Sequence, residues 1–447
     1  MKTQWFDFYY QNKSIIQRLS KESGWIVAGQ AVSILGAIAI VRMLTEYLDP
    51  AEYGQLALGL TVGGLLNQVV MGGLSSGIGR YYLIAREKSD LPNYFKACKR
   101  LLGYATVVAL LIAAFTLFIL VLAELTDWIP LALTVFIFSI FAGYSSVFSG
   151  IQNAERQRAV VAIHGGVDAW LKLCLAAACI FWLGNSGTSV VLGYLLSVII
   201  VTLSQFFFLN RLIRQPTLSL IGDTKQDWLS KIWSFSWPFS ACGIFTWLQQ
   251  ASDRWAIQIF GLPSDVGLYA VVYQLGFVPM GLLLGLVPSL ASPILYRMAG
   301  DASEATRNDQ VHILLWRVVL SGLLITVSSF GVSWLVHEWL FHWLVSEMYR
   351  DASVYLPWVV MAGGLFSVGQ ILSLKLMSEL RSRDLLYAKI GSAVFGIMTN
   401  ILGAWLYGVA GVVLSLLIFS ALFFFWILIL TGNLPKQLRE IQNNGSI

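Results

Sequence analysis

Two groups of residues have the types and spacing to do chemistry. Gln249-Gln250 is followed one helical turn later by Asp253-Arg254 inside an otherwise apolar stretch. A guanidinium placed there can hold an anionic group through its forked N–H donors. The adjacent carboxylate would neutralise it when the site is empty or take part in ion coupling. The plainer reading is a structural pair, with the long arginine side chain reaching back to the membrane interface. His164, Asp168 and Lys172 recur at intervals of four, which on a helix puts all three on one face with about 6 Å of rise between neighbours. That spacing suits a proton relay, and equally an Asp168–Lys172 pair that neutralises itself.

These charges must be carried by membrane helices. Of 447 residues, 57% are hydrophobic, 13% aromatic and only 12% charged, against about 25% charged in a typical soluble domain. One crossing of a bilayer takes about 20 apolar residues. Apolar runs and their charged interruptions predict twelve spans, centred near 33, 67, 112, 139, 171, 198, 247, 281, 324, 366, 396 and 420. With the N-terminus inside, 22 of the 29 basic residues fall in cytoplasmic segments and only Arg350 lies clearly in an outside loop. Such asymmetry is the orientation signal of a polytopic protein and places both termini in the cytoplasm. Trp128, Trp182, Trp334 and Trp339 lie at expected outer ends, where an interfacial belt belongs. Residues 1–22 are polar and basic, which argues against a removable signal peptide.

The longest polar stretch within the chain, around Pro216 and Asp223-Thr-Lys-Gln-Asp227, divides it in two. The expected organisation is a cytoplasmic segment 1–22, a six-helix bundle 23–210, a linker 211–232, a second six-helix bundle 233–431 and a cytoplasmic tail 432–447. Each half contains a basic residue at the end of its first span, a short turn with Pro and acid, and a glycine opening the next helix: Arg42 to Gly54, and Arg254 to Gly267. Gly73-x-x-x-Gly77 and Gly281-x-x-x-Gly285 repeat the relation. An even number of spans per unit makes this a parallel repeat about an axis along the membrane normal. Pro238, Pro279, Pro288 and Pro293 interrupt the seventh and eighth spans and are candidate hinges.

Other chemistries find little support. The basic residues form no stripe for nucleic acid, and Cys98, Cys174, Cys179 and Cys242 read as small buried hydrophobes. His337-Glu338 and His342 lack the i, i+4 spacing of a zinc-binding helix. No Gly-Lys dipeptide occurs, which removes a phosphate-binding loop from this chain. No cofactor or metal is expected.

The segment Ala37-Ile-Ala-Ile-Val-Arg42-Met-Leu followed by Pro50-Ala-Glu-Tyr-Gly54-Gln-Leu-Ala57 resembles the first-helix signature of the bacterial polysaccharide flippases. These belong to the superfamily that also holds multidrug and toxic compound extrusion transporters and lipid II flippases. Ser252-Asp253-Arg254-Trp-Ala-Ile-Gln-Ile-Phe-Gly261 and Val266-Gly267-Leu-Tyr269-Ala-Val-Val-Tyr273-Gln274 are similar to that family's seventh and eighth helices. The first turn departs from the pattern, since Thr45-Glu-Tyr lengthens it between Leu44 and Leu48. The resemblance implies an all-α polytopic fold, two six-helix bundles around a central cavity, in a bacterial-type plasma membrane. It implies a non-enzymatic flippase whose cargo is an oligosaccharide linked by pyrophosphate to a polyprenyl lipid, with polysaccharide polymerase and glycosyltransferases as further partners. Arg42 and Arg254, which stand in the matching motifs, would face the pyrophosphate. The residues read on their own add Gln250 and Lys172 as substrate-binding candidates and Asp253 and Asp168 as ion-coupling candidates. The alternatives are a cation-coupled drug exporter of the same superfamily, which should rely on intramembrane carboxylates, and a multi-pass glycosyltransferase or polymerase, disfavoured by the short outside loops.

Overall fold

The computed structural model describes residues 13–213, 227–299, 305–378 and 381–432. The first twelve residues, most of the expected linker and the tail beyond Gly432 lie outside them. Every described element is helical: α1 (Lys13–Tyr47), α2 (Pro50–Leu66), a π-helical turn (Asn67–Gly72), α3 (Gly73–Glu87), α4 (Leu91–Leu122), α5 (Ile129–Ala154), α6 (Arg158–Leu183), α7 (Gly187–Ile213), α8 (Trp228–Phe260), α9 (Pro263–Ala299), α10 (Ala305–Leu344), α11 (Leu356–Ser378) and α12 (Ser382–Gly432), with 3-10 turns at Thr126–Trp128 and Glu347–Tyr355. Among the described residues ten stretches are long and apolar enough to cross a membrane. They account for every expected position except 247, which falls in the 33-residue α8. Its serines, glutamines and Asp253-Arg254 interrupt the apolar run of α8. The two last expected spans share α12, divided by a left-handed Gly408 (φ 56°). Gly403 and Gly411 press together across that turn, where any side chain would overlap backbone.

Helix ends follow local chemistry. After α3, α4 and α5 the chain turns through Ser89, Glu124 and Arg156, all at positive φ. In each case the next residue's N–H returns to a carbonyl of the last turn, as in Asp90 to Ala85, Leu125 to Leu120 and Gln157 to Gln152. At the end of α1 the structure differs from the expected lengthened turn: Thr45, Glu46 and Tyr47 stay helical. The Thr45 hydroxyl donates to the Arg42 carbonyl at 3.1 Å, and the Leu48 N–H returns to Leu44 at 2.8 Å. Helix α8 likewise runs on through Pro238, and α9 through Pro279 and Pro288, because packing and the remaining hydrogen bonds tolerate one missing donor.

Backbone contacts divide the chain into two compact units, Met1–Ile40 with Gly59–Trp247, and Val41–Leu58 with Leu248–Ile447. The division falls inside α1, α2 and α8. In the first unit the beginning of α8 is bedded on α3: Gly73 and Gly77 leave room for Ser240 and Ser236, and a Cβ on either glycine would collide with them. Trp228 is buried at the start of α8 and donates its indole N–H to Asp90 at 2.6 Å. Trp247 donates to the Thr61 carbonyl at 2.7 Å, near the π-helical turn. The sequence counterparts Gly281 and Gly285 in the second unit have no neighbour within 4 Å. The duplicated pattern therefore marks one packed seam and one open face.

In the second unit α11 is the central helix, and most of its residues are buried. Gly363, Gly364 and Gly369 let α9, α10 and α12 close on it, against Phe277, Thr326 and Phe423. Small residues of this kind set helix contacts in lipid, where no hydrophobic gain distinguishes protein from solvent. Cys98 is buried as expected, whereas Cys174 is exposed on α6.

Candidate substrate and ion-coupling site

Asp253 and Arg254 lie in the second half of α8, within the second unit. Asp253 is 2% exposed. Its Oδ1 accepts the Arg254 backbone N–H at 2.7 Å and its Oδ2 accepts the Tyr269 hydroxyl at 2.7 Å. A buried carboxylate is tolerated only when so bonded, and both oxygens are committed. The Arg254 Nη1 donates to the Gln250 carbonyl at 2.9 Å and stands 3.5 Å from Asp253 Oδ1. Its guanidinium carbon lies 4.5 Å from the centre of the Tyr273 ring, a cation–π contact worth about 2 kcal/mol when desolvated. Gln250 thus serves the site through its main chain.

Tyr269 and Tyr273 open a column of rings at spacing four on α9. Tyr273 stacks on Phe277 at 4.7 Å and 15°, Phe277 meets Phe366 of α11 at 5.8 Å, and Phe366 meets Phe423 of α12 at 5.2 Å. Sequence reasoning missed this column, although the interval of four was visible. The start of α2 belongs to the same unit: Tyr53 packs edge to face on Tyr349 at 5.9 Å, and the Tyr349 hydroxyl donates to the Leu48 carbonyl at 3.0 Å.

Arg42 is also in this unit, but its partner is Glu46, 3.1 Å away one turn on, with side chains 45% and 53% exposed. That pair exists because the helix continues through Glu46. Asn400 donates to Ser252 at 2.9 Å, tying α12 to α8 beside Asp253.

Lys172 and Asp168 form a second cluster, in the first unit. Lys172 Nζ lies 2.6 Å from Asp168 Oδ2, and Ser197 of α7 donates to Asp168 Oδ1 at 3.0 Å. The ammonium is also 5.6 Å from the Phe138 ring centre and 6.0 Å from that of Tyr194. His164 shares the helix face but bonds elsewhere, to the Val160 carbonyl at 2.8 Å and to Ser204 at 3.1 Å. The six candidate residues therefore fall into an Asp253–Arg254–Gln250 group, an Asp168–Lys172 group and the outlying Arg42.

The profile of the family described as "Polysaccharide biosynthesis protein" matches residues 19–299, more than half of the chain, so the chain belongs to that family. No curated protein sequence matches it. Among solved structures, it is similar to the lipid II flippase MurJ in an inward closed conformation, with TM-score 0.71 and 13% identity over 92% of this chain and 87% of that one. It is also similar to an inward-facing multidrug resistance MATE family transporter of the MOP superfamily, with TM-score 0.62 and 15% identity over 93% of this chain and 95% of the other. An outward-facing structure of such a transporter gives TM-score 0.60 at 14% identity, over 93% and 97% of the two chains. At these identities the likeness is one of fold, an all-α polytopic membrane architecture.

Proposed function

We propose that the chain is a membrane flippase that moves a polyprenyl-pyrophosphate-linked oligosaccharide from the cytoplasmic to the outer leaflet by alternating access, in a bacterial-type plasma membrane with both termini cytoplasmic. The bundles 23–210 and 233–431 are its two moving halves, and polysaccharide polymerase and glycosyltransferases are its partners in building the cell-surface polymer. The observation that carries the reading is Arg254. Its Nη1 bonds to the Gln250 carbonyl, and its carboxylate neighbour is committed to Tyr269 and to backbone. A forked guanidinium is the group that a phosphate would take. Arg42, Gln250 and Lys172 contribute to the cargo path, and Asp253 and Asp168 to ion coupling. Family membership and the fold shared with a lipid II flippase support the same assignment.

The test is flipping of a fluorescent polyprenyl-pyrophosphate oligosaccharide in proteoliposomes, with and without a proton or sodium gradient. Protein-dependent flipping that falls at least tenfold in Arg254→Ala is the expected result. Absence of flipping under every gradient, together with export of an organic cation by the same vesicles, would move the assignment to the drug-exporter branch.

A further inference from the structure

Helix α6 presents two faces of opposite chemistry. His164, Asp168 and Lys172 bond inward to Ser204, Ser197 and the Phe138 and Tyr194 rings. Offset from them by half a turn, Arg158, Ala162, Gly166 and Trp170 follow one another at intervals of four, so one basic residue heads a smooth apolar strip. On α1, Trp25, Gly29 and Val32 form the matching strip. The two helices touch where side chains are smallest: a Cβ on Gly29 would stand 2.7 Å from that of Ala162, and one on Gly166 would stand 3.0 Å from Val32. Above this seam lies a groove of about 340 Å³, with Trp25 and Trp170 among the residues that line it.

The groove opens outward. Val32, Ile163, Val167 and Trp170 are 39%, 53%, 45% and 43% exposed. Both helices are candidate membrane spans, Gly24–Tyr47 and Arg158–Leu183, so what surrounds the groove is hydrocarbon. From Ala162 to Trp170 the strip extends about 12 Å along the helix axis, well short of the roughly 30 Å of a bilayer core. At its Ala162 end it is headed by Arg158, the first residue of the candidate span Arg158–Leu183, which puts that end at one interface. Arg158 is held by Asn153 Oδ1 at 2.5 Å, and Arg156 stands on the turn between α5 and α6. An apolar trough headed by arginines is complementary to a hydrocarbon chain with a phosphate head.

We infer that this groove between α1 and α6 seats the first part of the polyprenyl chain of the carrier lipid, with its phosphate at Arg156 and Arg158. The choice of the carrier over a bulk phospholipid rests on the flippase reading above. The site lies wholly within the first unit, whereas the Arg254 group belongs to the second. It would hold the tail while the head is exchanged.

The full-length protein in phosphatidylcholine nanodiscs is labelled with a polyprenyl phosphate carrying a diazirine near its phosphate end, and labelled peptides are mapped by mass spectrometry. Labelling is expected within residues 25–32 and 162–170. A tenfold excess of unlabelled polyprenyl phosphate should remove it at least fivefold, and the same excess of phosphatidylglycerol should not. Ile163→Trp, which fills the groove from its exposed rim, should lower the labelling at least fivefold. Val107→Trp, on the equally exposed face of α4, should leave it unchanged. Equal competition by phosphatidylglycerol, or label absent from both segments, overturns the inference. The flipping assay is read on the same preparations. If the protein flips its cargo while the groove stays unlabelled, the groove assignment fails alone; if it flips nothing, the flippase reading fails whatever the label shows.

Discussion

Gly54 and Gly267, 213 positions apart in sequence, stand in reciprocal contact within the second unit. A Cβ on Gly54 would lie 3.1 Å from the Gly267 nitrogen and overlap the Pro263 carbonyl oxygen. A Cβ on Gly267 would lie 3.1 Å from the Gly54 nitrogen and overlap the Pro50 carbonyl oxygen. Each glycine thus makes room for the first turn of the other's helix, and the two copies of the duplicated motif meet through their equivalent residues. Neither glycine has a positive φ, so close approach alone demands them.

Replacing either by alanine should therefore act through overpacking. Gly54→Ala and Gly267→Ala are each expected to destabilise this contact by about 1–3 kcal/mol. The double variant should cost less than the sum, because the first substitution already separates the helices. Thermal unfolding in detergent measures this; additive losses would show that the two positions do not share one contact.

Tyr269→Phe removes one methodically placed hydroxyl and leaves Asp253 Oδ2 buried without its donor. A stability loss of about 1–3 kcal/mol is expected. Asp253→Asn with Tyr269→Phe should recover part of it, because a neutral amide costs less to bury than a carboxylate. Failure of that recovery would mean that Asp253 is held chiefly by Arg254. Denaturation curves for the three variants decide the matter.

The Asp168–Lys172 pair separates structure from transport. Lys172→Met leaves Asp168 in an apolar setting with Ser197 as remaining partner and should destabilise the protein by about 1–3 kcal/mol, less than for a fully buried pair because both side chains are about a quarter exposed. Lys172→Met with Asp168→Leu should regain most of that stability. If the pair serves transport, as proposed, flipping by the stable double variant falls at least fivefold. Unchanged flipping would reduce the pair to a helix clamp.

Glu124 occupies the left-handed position after α4 with a side chain that gains nothing evident from it (φ 59°). Glu124→Gly should raise stability by roughly 0.5–1 kcal/mol, since glycine takes that conformation without steric cost. A small rise in melting temperature is the readout, and a fall would reveal a role for the carboxylate at this turn.

Much of the architecture was legible in the chain itself. Long apolar runs in a 447-residue sequence with 12% charge leave helices as the way to cross a bilayer. Thus α1 to α7 and α9 to α11 fall where hydropathy puts them, and the split of α12 at Gly408 falls between two expected spans. The resemblance carried by Pro50–Ala57 and Ser252–Gly261 pointed to the family that the profile match establishes. Spacing also assembled the Asp168–Lys172 pair correctly, because i, i+4 neighbours meet on any helix.

What lay beyond reach depended on contacts between distant helices. The sequence shows Asp253 beside Arg254; only the tertiary structure decides that Asp253 is held by Tyr269 and that the guanidinium lies on Tyr273. It likewise decides that Gly73 and Gly77 are filled by α8 while Gly281 and Gly285 stand open. Nor could the sequence locate the unit boundary within α1, α2 and α8. Hydropathy reports how a segment partitions between water and hydrocarbon, a property of that segment alone. In lipid the choice of neighbour is made by shape, small residues and buried hydrogen bonds, and these exist only when two helices meet.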